Sequence, residues 1–182
     1  SDQNVKRISS HIVKKVADKL AELFRDKRDE FEKKWEDVGF FVKYGMLTDD
    51  KFYEKAKEFA LLENTGHNFY TLEEYREKTT PVQTDKNGQL VWLYTTDPKG
   101  QHSFIESAEK RDYSILLMEQ PIDTHFVQML ESKMEKLSVK RVDSGAADKL
   151  IEKEEQRESV LNGDEEKLLD NIFKDITDKG QY

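Results

Sequence analysis

The sequence predicts an α/β fold: a helical linker, then a small three-layer α/β/α domain with a mainly parallel sheet, then a truncated helix. Three observations support this prediction. Apolar residues recur at helical spacing near the start, compact apolar runs alternate with amphipathic stretches in the middle, and one amphipathic stripe follows a charged run near the end. We therefore divide the chain into a helical linker at residues 1–62, an α/β/α subdomain at residues 63–151, and a charged linker with the first helix of a truncated further domain at residues 152–182.

Three helices are expected in residues 1–62. Two stripes of apolar side chains recur every three or four residues, separated by a charged break at residues 26–29: Val5, Ile8, Ile12, Val16, Leu20 and Phe24 in the first, and Phe31, Trp35, Val38 and Val42 in the second. A third, shorter stripe consists of Phe52, Ala56 and Phe59. We predict Thr48 as the N-cap of this third helix, because Asp49 and Asp50 then lie in its first turn, where the helix dipole favours carboxylates.

Strands and helices are expected to alternate in residues 63–151. Three compact apolar or β-branched runs predict strands at residues 90–94, 115–118 and 138–142, with an amphipathic helix in each interval. Asp123 is predicted to cap the second of these helices. Strands that are apolar on both faces and separated by helices indicate a parallel sheet built from βαβ units. Residues 70–75 are predicted as a short helix, and residues 79–88 as an exposed loop.

The last part of the chain carries charge and one isolated apolar stripe. Residues 152–158 are almost all charged, which is typical of a linker or a frayed helix. The stripe that follows consists of Leu168, Leu169, Ile172, Phe173 and Ile176. Because nothing after it offers a packing surface, we expect this helix to open a further domain.

Composition excludes several classes of protein. The net charge of −8 over 182 residues argues against general nucleic-acid binding, which needs a surplus of Lys and Arg. There is no cysteine, so disulfides are excluded. No apolar run approaches the roughly 20 residues that cross a bilayer, and the N-terminus lacks the pattern of a signal peptide. We therefore expect a cytoplasmic protein with neither nucleic-acid nor membrane partners.

No motif of a catalytic or cofactor site is present. The eight glycines form neither a P-loop nor a dinucleotide-binding fingerprint, and the four histidines have no zinc-ligand spacing. One constellation gives an alternative hypothesis. Asp97, Glu119 and Asp143 each follow a predicted strand, and three convergent carboxylates would hold Mg²⁺ for phosphoryl transfer. The interpretation that we favour is that these residues cap helices and form turns. We predict no catalytic, cofactor-binding or metal-binding residue.

Two surfaces are candidates for contacts with other proteins. The first predicted helix has a basic side that would bind an anion or a partner, although a solvated face is the favoured interpretation: Arg7, His11, Lys14 and Lys15. Aromatic residues crowd residues 31–59, and most of them are expected in the core. Trp35 and Phe41 are the candidates for exposed anchors of unfolded or partly folded polypeptides, with the core again favoured. Arg7, Lys14, Trp35 and Phe41 are therefore the predicted contact residues.

Several segments resemble one protein family. Residues 43–56, with the sequence KYGMLTDDKFYEKA, closely resemble the helical connection in the middle domain of the bacterial ninety-kilodalton heat-shock chaperones, the HtpG family. Residues 8–20 look like the long helix of that family. Further similar segments follow in the family's order: 70–75, 91–95, 116–123 and 141–144. The resemblance covers about residues 1–151, and beyond them only the charged run and the amphipathic helix are similar.

The resemblance implies the role of a middle-domain fragment, with the start of a C-terminal domain, in a dimeric, ATP-driven chaperone. In the family, an N-terminal domain binds ATP with Mg²⁺, the middle domain supplies a catalytic Arg and client contacts, and a C-terminal domain dimerises. No residue here matches that Arg, and Arg7 is not given its role. The fragment is therefore expected to couple the ATPase and dimerisation domains, to contact unfolded clients and not to act as an enzyme. A helical scaffold without a client role is a third possibility.

Overall fold

Three helices open the chain, whose computed structural model describes residues 2–154 and Lys167. They are α1 (Asp2–Asp26), α2 (Arg28–Thr48) and α3 (Asp50–Ala56). Lys27 alone separates α1 from α2, so most of the predicted charged break is helical; charged side chains are tolerated on the solvent side of a helix. The three predicted helices are confirmed.

The N-cap of α3 is Asp49, so the prediction of Thr48 is wrong by one residue. Asp49 has an extended backbone, and its Oδ1 accepts the Phe52 N–H at 2.8 Å. Thr48 is instead the last residue of α2, where its hydroxyl donates to the Tyr44 carbonyl at 2.8 Å. Because that hydroxyl bonds to the preceding turn, the carboxylate that follows caps the new helix.

A short antiparallel hairpin that the sequence patterns did not predict follows α3. Its strands are β1 (Leu61–Glu63) and β2 (Phe69–Thr71), with Leu62 opposite Tyr70. The boundary predicted between residues 62 and 63 therefore falls inside β1.

Helix α4 (Leu72–Gln83) starts later and runs further than the helix predicted at residues 70–75. It starts at Leu72 because Thr71 and Glu74 form a capping box, in which each side chain accepts the backbone N–H of the other residue. Its second half occupies residues 79–83, so the exposed loop predicted at residues 79–88 is wrong for that part, whereas residues 86–88 do form an exposed turn.

Buried hydrogen bonds explain why α4 continues through polar residues. The Trp92 indole N–H donates to the Thr79 hydroxyl at 2.9 Å, and the Gln83 side chain donates to the Val91 carbonyl at 2.8 Å. Thr79 and Gln83 are both buried. Polar side chains whose bonds are satisfied in this way can occupy a core position that a sequence pattern assigns to solvent.

Replacing Thr79→Val is expected to lower the free energy of unfolding by about 1–3 kcal/mol, because the buried Trp92 N–H loses its acceptor. Urea denaturation measures this difference. Thr80→Val is the matched control, since Thr80 lies on the same helix and is exposed, and the hydroxyls of Thr79 and Thr80 each donate to the carbonyl four residues earlier. An equal cost for the two variants would show that the Thr79–Trp92 bond contributes nothing.

A three-stranded parallel sheet forms the middle layer of the subdomain. The strands are β3 (Leu90–Thr95), β4 (Ile115–Leu117) and β5 (Leu137–Arg141), in the order β4-β3-β5, with Leu93 beside Ile115 and Trp92 beside Val139. The connecting helices are α5 (His102–Glu109) and α6 (Asp123–Lys133), and α7 (Ala147–Leu150) follows β5. The predicted parallel strands are confirmed.

The two faces of this sheet pack against different helices. Val91 and Leu93 belong to a core shared with α5 and α7, whereas Trp92 and Leu116 belong to one shared with α6. The predicted α/β/α layering is therefore confirmed.

One hydrophobic core joins the helical linker to the subdomain. Buried residues from α1, α2, α3, the hairpin, α4, the sheet and α6 belong to a single cluster, among them Ala17, Phe31, Trp35, Phe59, Leu62, Tyr75, Trp92, Leu116 and Phe126. The linker is thus a packed layer of the same unit rather than a separate spacer.

The first helix is covered along only part of its length. Ala17, Leu20 and Phe24 pack on the shared core. The earlier members of the predicted stripe are exposed: Val5, Ile8, Ile12 and Val16.

The predicted charged linker and terminal stripe lie mostly outside the described residues, which end at residue 154 apart from Lys167. Within the described part of the chain, no helix is both long enough and apolar enough to cross a bilayer.

Candidate functional site: a groove between helix α2 and the parallel sheet

A groove of about 900 Å³ lies between α2, the β1–β2 hairpin and the end of β4. One face of α2 lines the groove with residues spaced mostly three or four apart, which places them on the same side of the helix: Asp29, Glu32, Lys33, Glu36, Phe40 and Lys43. The floor is apolar and consists of Trp35, Leu61, Leu62, Phe69, Leu117 and Met118. Glu119, in the segment that joins β4 to α6, and Asp123, the first residue of α6, lie at the far side.

Gly39 lets the Trp35 ring lie close against α2. A Cβ atom at position 39 would lie only 2.8 Å from Trp35 Cε2. Glycine costs a helix about 1 kcal/mol relative to alanine, so its presence here is explained by this contact with the ring. The shape of the groove floor therefore depends on a residue without a side chain.

Lys43 and Asp123 form a buried ion pair at one end of the groove. The Lys43 Nζ lies 2.7 Å from Asp123 Oδ1 and 5.5 Å from the centre of the Phe126 ring. Lys43 is 8% exposed and Asp123 only 2%. The Gln120 N–H donates to the second oxygen of Asp123 at 3.0 Å. The pair therefore joins α2 to the first turn of α6, and both charges are compensated in a site from which water is largely excluded.

This role of Asp123 differs from the predicted helix cap. Asp123 is the first residue of α6, and its carboxylate turns back toward Gln120 and across to Lys43 instead of bonding to the N–H groups of the next turn. The sequence signal that was missed is the position of Lys43, which lies between the buried Val42 and Met46 on α2.

A second ion pair joins the start of α2 to the start of α4. Two nitrogens of Arg28 donate to the two carboxylate oxygens of Glu74, at 2.6 and 2.7 Å. The hydrogen bonds from Arg28 hold the pKa of the Glu74 carboxyl below its ordinary value, although partial burial acts in the opposite direction. The same pair raises the pKa of Arg28.

Arg28→Met is expected to reduce the free energy of unfolding at pH 7 by about 0.5–1 kcal/mol, the value of a partly exposed pair. The pKa of Glu74 is lower in the folded state than in the unfolded chain. The pair therefore contributes fully to the free energy of unfolding at pH values above the ordinary carboxyl pKa, and this contribution is lost as pH falls through the folded-state pKa. Urea titrations of the unaltered chain and of Arg28→Met, at pH 7 and at steps below pH 5, should show their free energies of unfolding converging as the pH falls. The control is Arg25→Met, which removes an exposed pair with the adjacent Asp26. A constant difference at all pH values would contradict the assignment.

The chain matches one protein family over nearly its whole length. The sequence profile described as Hsp90 protein matches residues 1–181. The chain belongs to the Hsp90 family. Within that family it is similar to the bacterial HtpG chaperones: it is 48% identical to a "Chaperone protein HtpG" of Porphyromonas gingivalis and 45% identical to that of Bacteroides thetaiotaomicron, over 96% of its own length. It spans about a quarter of the length of these curated Hsp90 relatives, 25% and 26%.

A solved structure of a heat-shock protein has a similar fold. The middle domain of a heat-shock protein from Plasmodium falciparum superposes with a TM-score of 0.61 at 19% identity, covering 80% of this chain and 60% of the other. The predicted membership of the HtpG family is confirmed.

Of the predicted contact residues, this Hsp90 chain places only Trp35 in the groove. Trp35 is 6% exposed, so it belongs to the core and offers only an edge to the groove floor. Phe41 is 71% exposed on α2, and its ring stacks edge-on against Phe40, with the ring centres 5.7 Å apart. Arg7 and Lys14 are exposed on α1, outside the groove. Contacts of these four residues with other proteins stay a prediction.

An aromatic patch adjoins the groove and was only partly recognised in the sequence. Phe40, Phe41 and Tyr44 are all largely exposed on α2, and we call these three residues the aromatic patch. Phe40 also lines the groove, so the patch and the groove floor form a continuous apolar surface. A signal was available: the aromatic residues at positions 40, 41 and 44 lie off the stripe of buried residues that includes Phe31, Trp35 and Val42.

The hypothesis of a Mg²⁺-dependent phosphotransfer site is wrong for this Hsp90 chain. Within residues 2–154 and Lys167, no group of three His, Asp or Glu side chains is placed to hold a metal ion. Asp97 accepts the Gly100 N–H at 3.0 Å, and Glu119 lies at the groove.

The carboxylate of Asp143 is also occupied by neighbouring side chains. It bonds to the Gln101 amide at 2.8 Å and to Arg141, and the bond from Arg141 contributes most to the lowered pKa of Asp143. Asp97 and Asp143 thus stabilise turns and strand ends, as ordinary turn residues do.

Proposed function

We propose that this chain acts as a rigid coupling segment in the middle of an ATP-dependent chaperone, connecting the ATPase and dimerisation domains of the same protein. The observation that carries the proposal is the shared core, which joins α1 and α2 to the parallel sheet and α6. The buried Lys43–Asp123 pair adds a second connection between α2 and α6. Packed helices transmit the rotation of a domain, whereas a flexible linker absorbs it.

The exposed stripe on α1 supports contacts with other domains of the chaperone. Val5, Ile8 and Ile12 are each more than half exposed and lie at helical spacing. Contiguous apolar surface of this kind marks an interaction site in soluble proteins. The curated relatives are about four times longer than this chain, so other parts of such a protein are the natural partners for this surface.

Client binding is the second part of the proposal. The aromatic patch exposes three large side chains beside an open groove with an apolar floor. Unfolded and partly folded proteins expose apolar side chains, which bury area on such a surface. The proposed partners are thus client proteins, the other chaperone domains and, in the parent protein, a second subunit. The proposed location is the cytoplasm.

The coupling proposal is tested by lengthening the connection in a full-length protein. A four-residue Gly-Ser insertion after Lys27, between α1 and α2, is expected to abolish ATP-dependent client refolding while ATP binding remains. The same insertion after Asn87, in the exposed turn before β3, is the control and should preserve refolding.

Normal refolding by the Lys27 insertion protein would contradict the coupling role. The 182-residue chain by itself is expected to show no ATP turnover, because the ATP site and catalytic Arg are assigned to other parts of the parent. Measurable hydrolysis by the pure chain would contradict that assignment.

A further inference from the structure

The groove combines an apolar floor with an acidic rim. Two of its carboxylates are neutralised internally, Asp123 by Lys43 and Glu63 by a ring nitrogen of His67 at 2.8 Å when that ring is protonated. Glu32 lies 3.9 Å from Arg28. Three more, Asp29, Glu36 and Glu119, make no ion pair among the described residues. Lys33 is the remaining cation of the lining. The rim therefore has an excess of negative charge facing a cleft whose base is apolar.

The dimensions of the groove fit a short extended peptide. From Asp29 to Lys43 the lining follows α2 for about 21 Å, at 1.5 Å per residue. About six residues of an extended chain span that distance. The groove is open along its length, and its volume of about 900 Å³ is in the range of specific ligand sites.

We propose that this groove binds extended client segments in which an aromatic or large aliphatic residue is flanked by Lys or Arg. This inference rests on the proposed client-binding function and names the chemistry of the segment. The apolar side chain packs against Phe40 and the floor formed by Phe69 and Leu117. The flanking cations reach Glu36 on one side and Glu119 on the other.

Lysine and arginine suit the flanks of the bound segment, at the rim of the groove, for two further reasons. Their aliphatic stems cover apolar surface while the charged end stays at the rim. An exposed aromatic ring such as Phe40 also attracts a cation over its face. An acidic segment would meet Asp29, Glu36 and Glu119, so like-charge repulsion excludes it.

The test uses the 182-residue chain and fluorescein-labelled hexapeptides, with binding measured by fluorescence anisotropy. The probe peptide has Phe and Leu at its centre and two Lys at each end. One comparison peptide replaces every Lys by Glu, and another replaces Phe and Leu by Ser. Of the three peptides, only the probe is expected to bind, and its affinity should fall as the salt concentration is raised.

Matched variants locate the site. Phe40→Ser is expected to weaken binding at least about tenfold, or about 1.4 kcal/mol, because the exposed ring becomes a buried anchor in the complex. The control is Phe104→Ser on α5, since Phe104 is 41% exposed and Phe40 is 45% exposed. Glu36→Gln with Glu119→Gln is expected to weaken binding about fivefold or more, whereas Glu77→Gln with Glu106→Gln, away from the groove, should leave it unchanged.

Three outcomes would overturn the inference. Equal binding of the Lys and Glu peptides would contradict the proposed preference for flanking cations, and equal effects of Phe40→Ser and Phe104→Ser would show that the groove is not the site. Concentration-dependent dimerisation that Phe40→Ser abolishes would make the groove a contact between two copies of this chain. A parallel assay measures how well the chain suppresses aggregation of a heat-denatured client, and it separates the groove proposal from client binding in general. If the groove variants still suppress aggregation, the groove proposal fails and client binding stands. If the unaltered chain does not suppress aggregation, client binding itself is contradicted.

Discussion

Lys43→Met is expected to lower the free energy of unfolding of the 182-residue chain by about 3–5 kcal/mol, the cost of leaving one partner of a buried pair without its counter-charge. Asp123 is 2% exposed, and Lys43 Nζ at 2.7 Å is its cationic partner. This loss is a large fraction of the 5–15 kcal/mol that stabilises an ordinary domain.

Urea denaturation followed by circular dichroism measures the effect, with Lys57→Met as the control. Lys57 pairs with Glu54 on the surface, and an exposed pair contributes about 0–1 kcal/mol. Adding Asp123→Asn to Lys43→Met should recover part of the lost stability, because the uncompensated charge is then removed. If Lys43→Met costs no more than Lys57→Met, the buried pair does not hold the two parts together.

Phe31→Ala is expected to destabilise the chain by about 3–5 kcal/mol. The Phe31 ring is fully buried, and its centre lies 5.6 Å from that of Phe24 on α1 and 6.0 Å from that of Phe59 after α3. It also contacts Trp35 on its own helix. Truncation leaves a cavity at the point where three helical segments meet, and neighbouring rings cannot collapse fully into it.

The control for Phe31→Ala is Phe41→Ala, which removes an exposed ring from the same helix and should change stability by no more than about 0.5 kcal/mol. Thermal unfolding of both variants provides the comparison. Because the core is shared, Phe31→Ala should also lower the temperature at which Trp92 in β3 becomes exposed, measured by fluorescence in a Trp35→Phe background in which Trp92 is the sole tryptophan. A sheet that unfolds at the original temperature would mean that the linker and the subdomain are independent.

Much of the fold follows from the hydrophobic pattern. Residues 90–94 are apolar on successive positions, as a strand covered on both faces requires, and helices α1 and α2 follow from their apolar spacing. The β1–β2 hairpin was missed because three-residue strands are too short to show alternation. The end of α4 was missed because Thr79 and Gln83 are polar, and only the tertiary hydrogen bonds to β3 make them core residues.

The groove could not be derived from local patterns. Its two sides come from α2 and from the segment after β4, so Lys43 meets Asp123 across 80 positions of sequence. Phe41 and Trp35 were both named as candidates for exposed anchors, with the core favoured for each. Phe41 is 71% exposed, whereas Trp35 is 6% exposed and belongs to the core as favoured. Their positions on the helix account for the difference, because Trp35 lies on the buried stripe with Phe31 and Val42, and Phe41 lies off it.

Native-state hydrogen exchange on the 182-residue chain tests most directly whether the linker and the subdomain form one unit. The best-protected amides of α2 and β3 should open with the same free energy, within about 1 kcal/mol, and Lys43→Met should lower both values equally. If α2 opens several kcal/mol more easily than β3, or if only α2 responds to Lys43→Met, the linker is a separate and flexible element, and the proposed coupling role is contradicted.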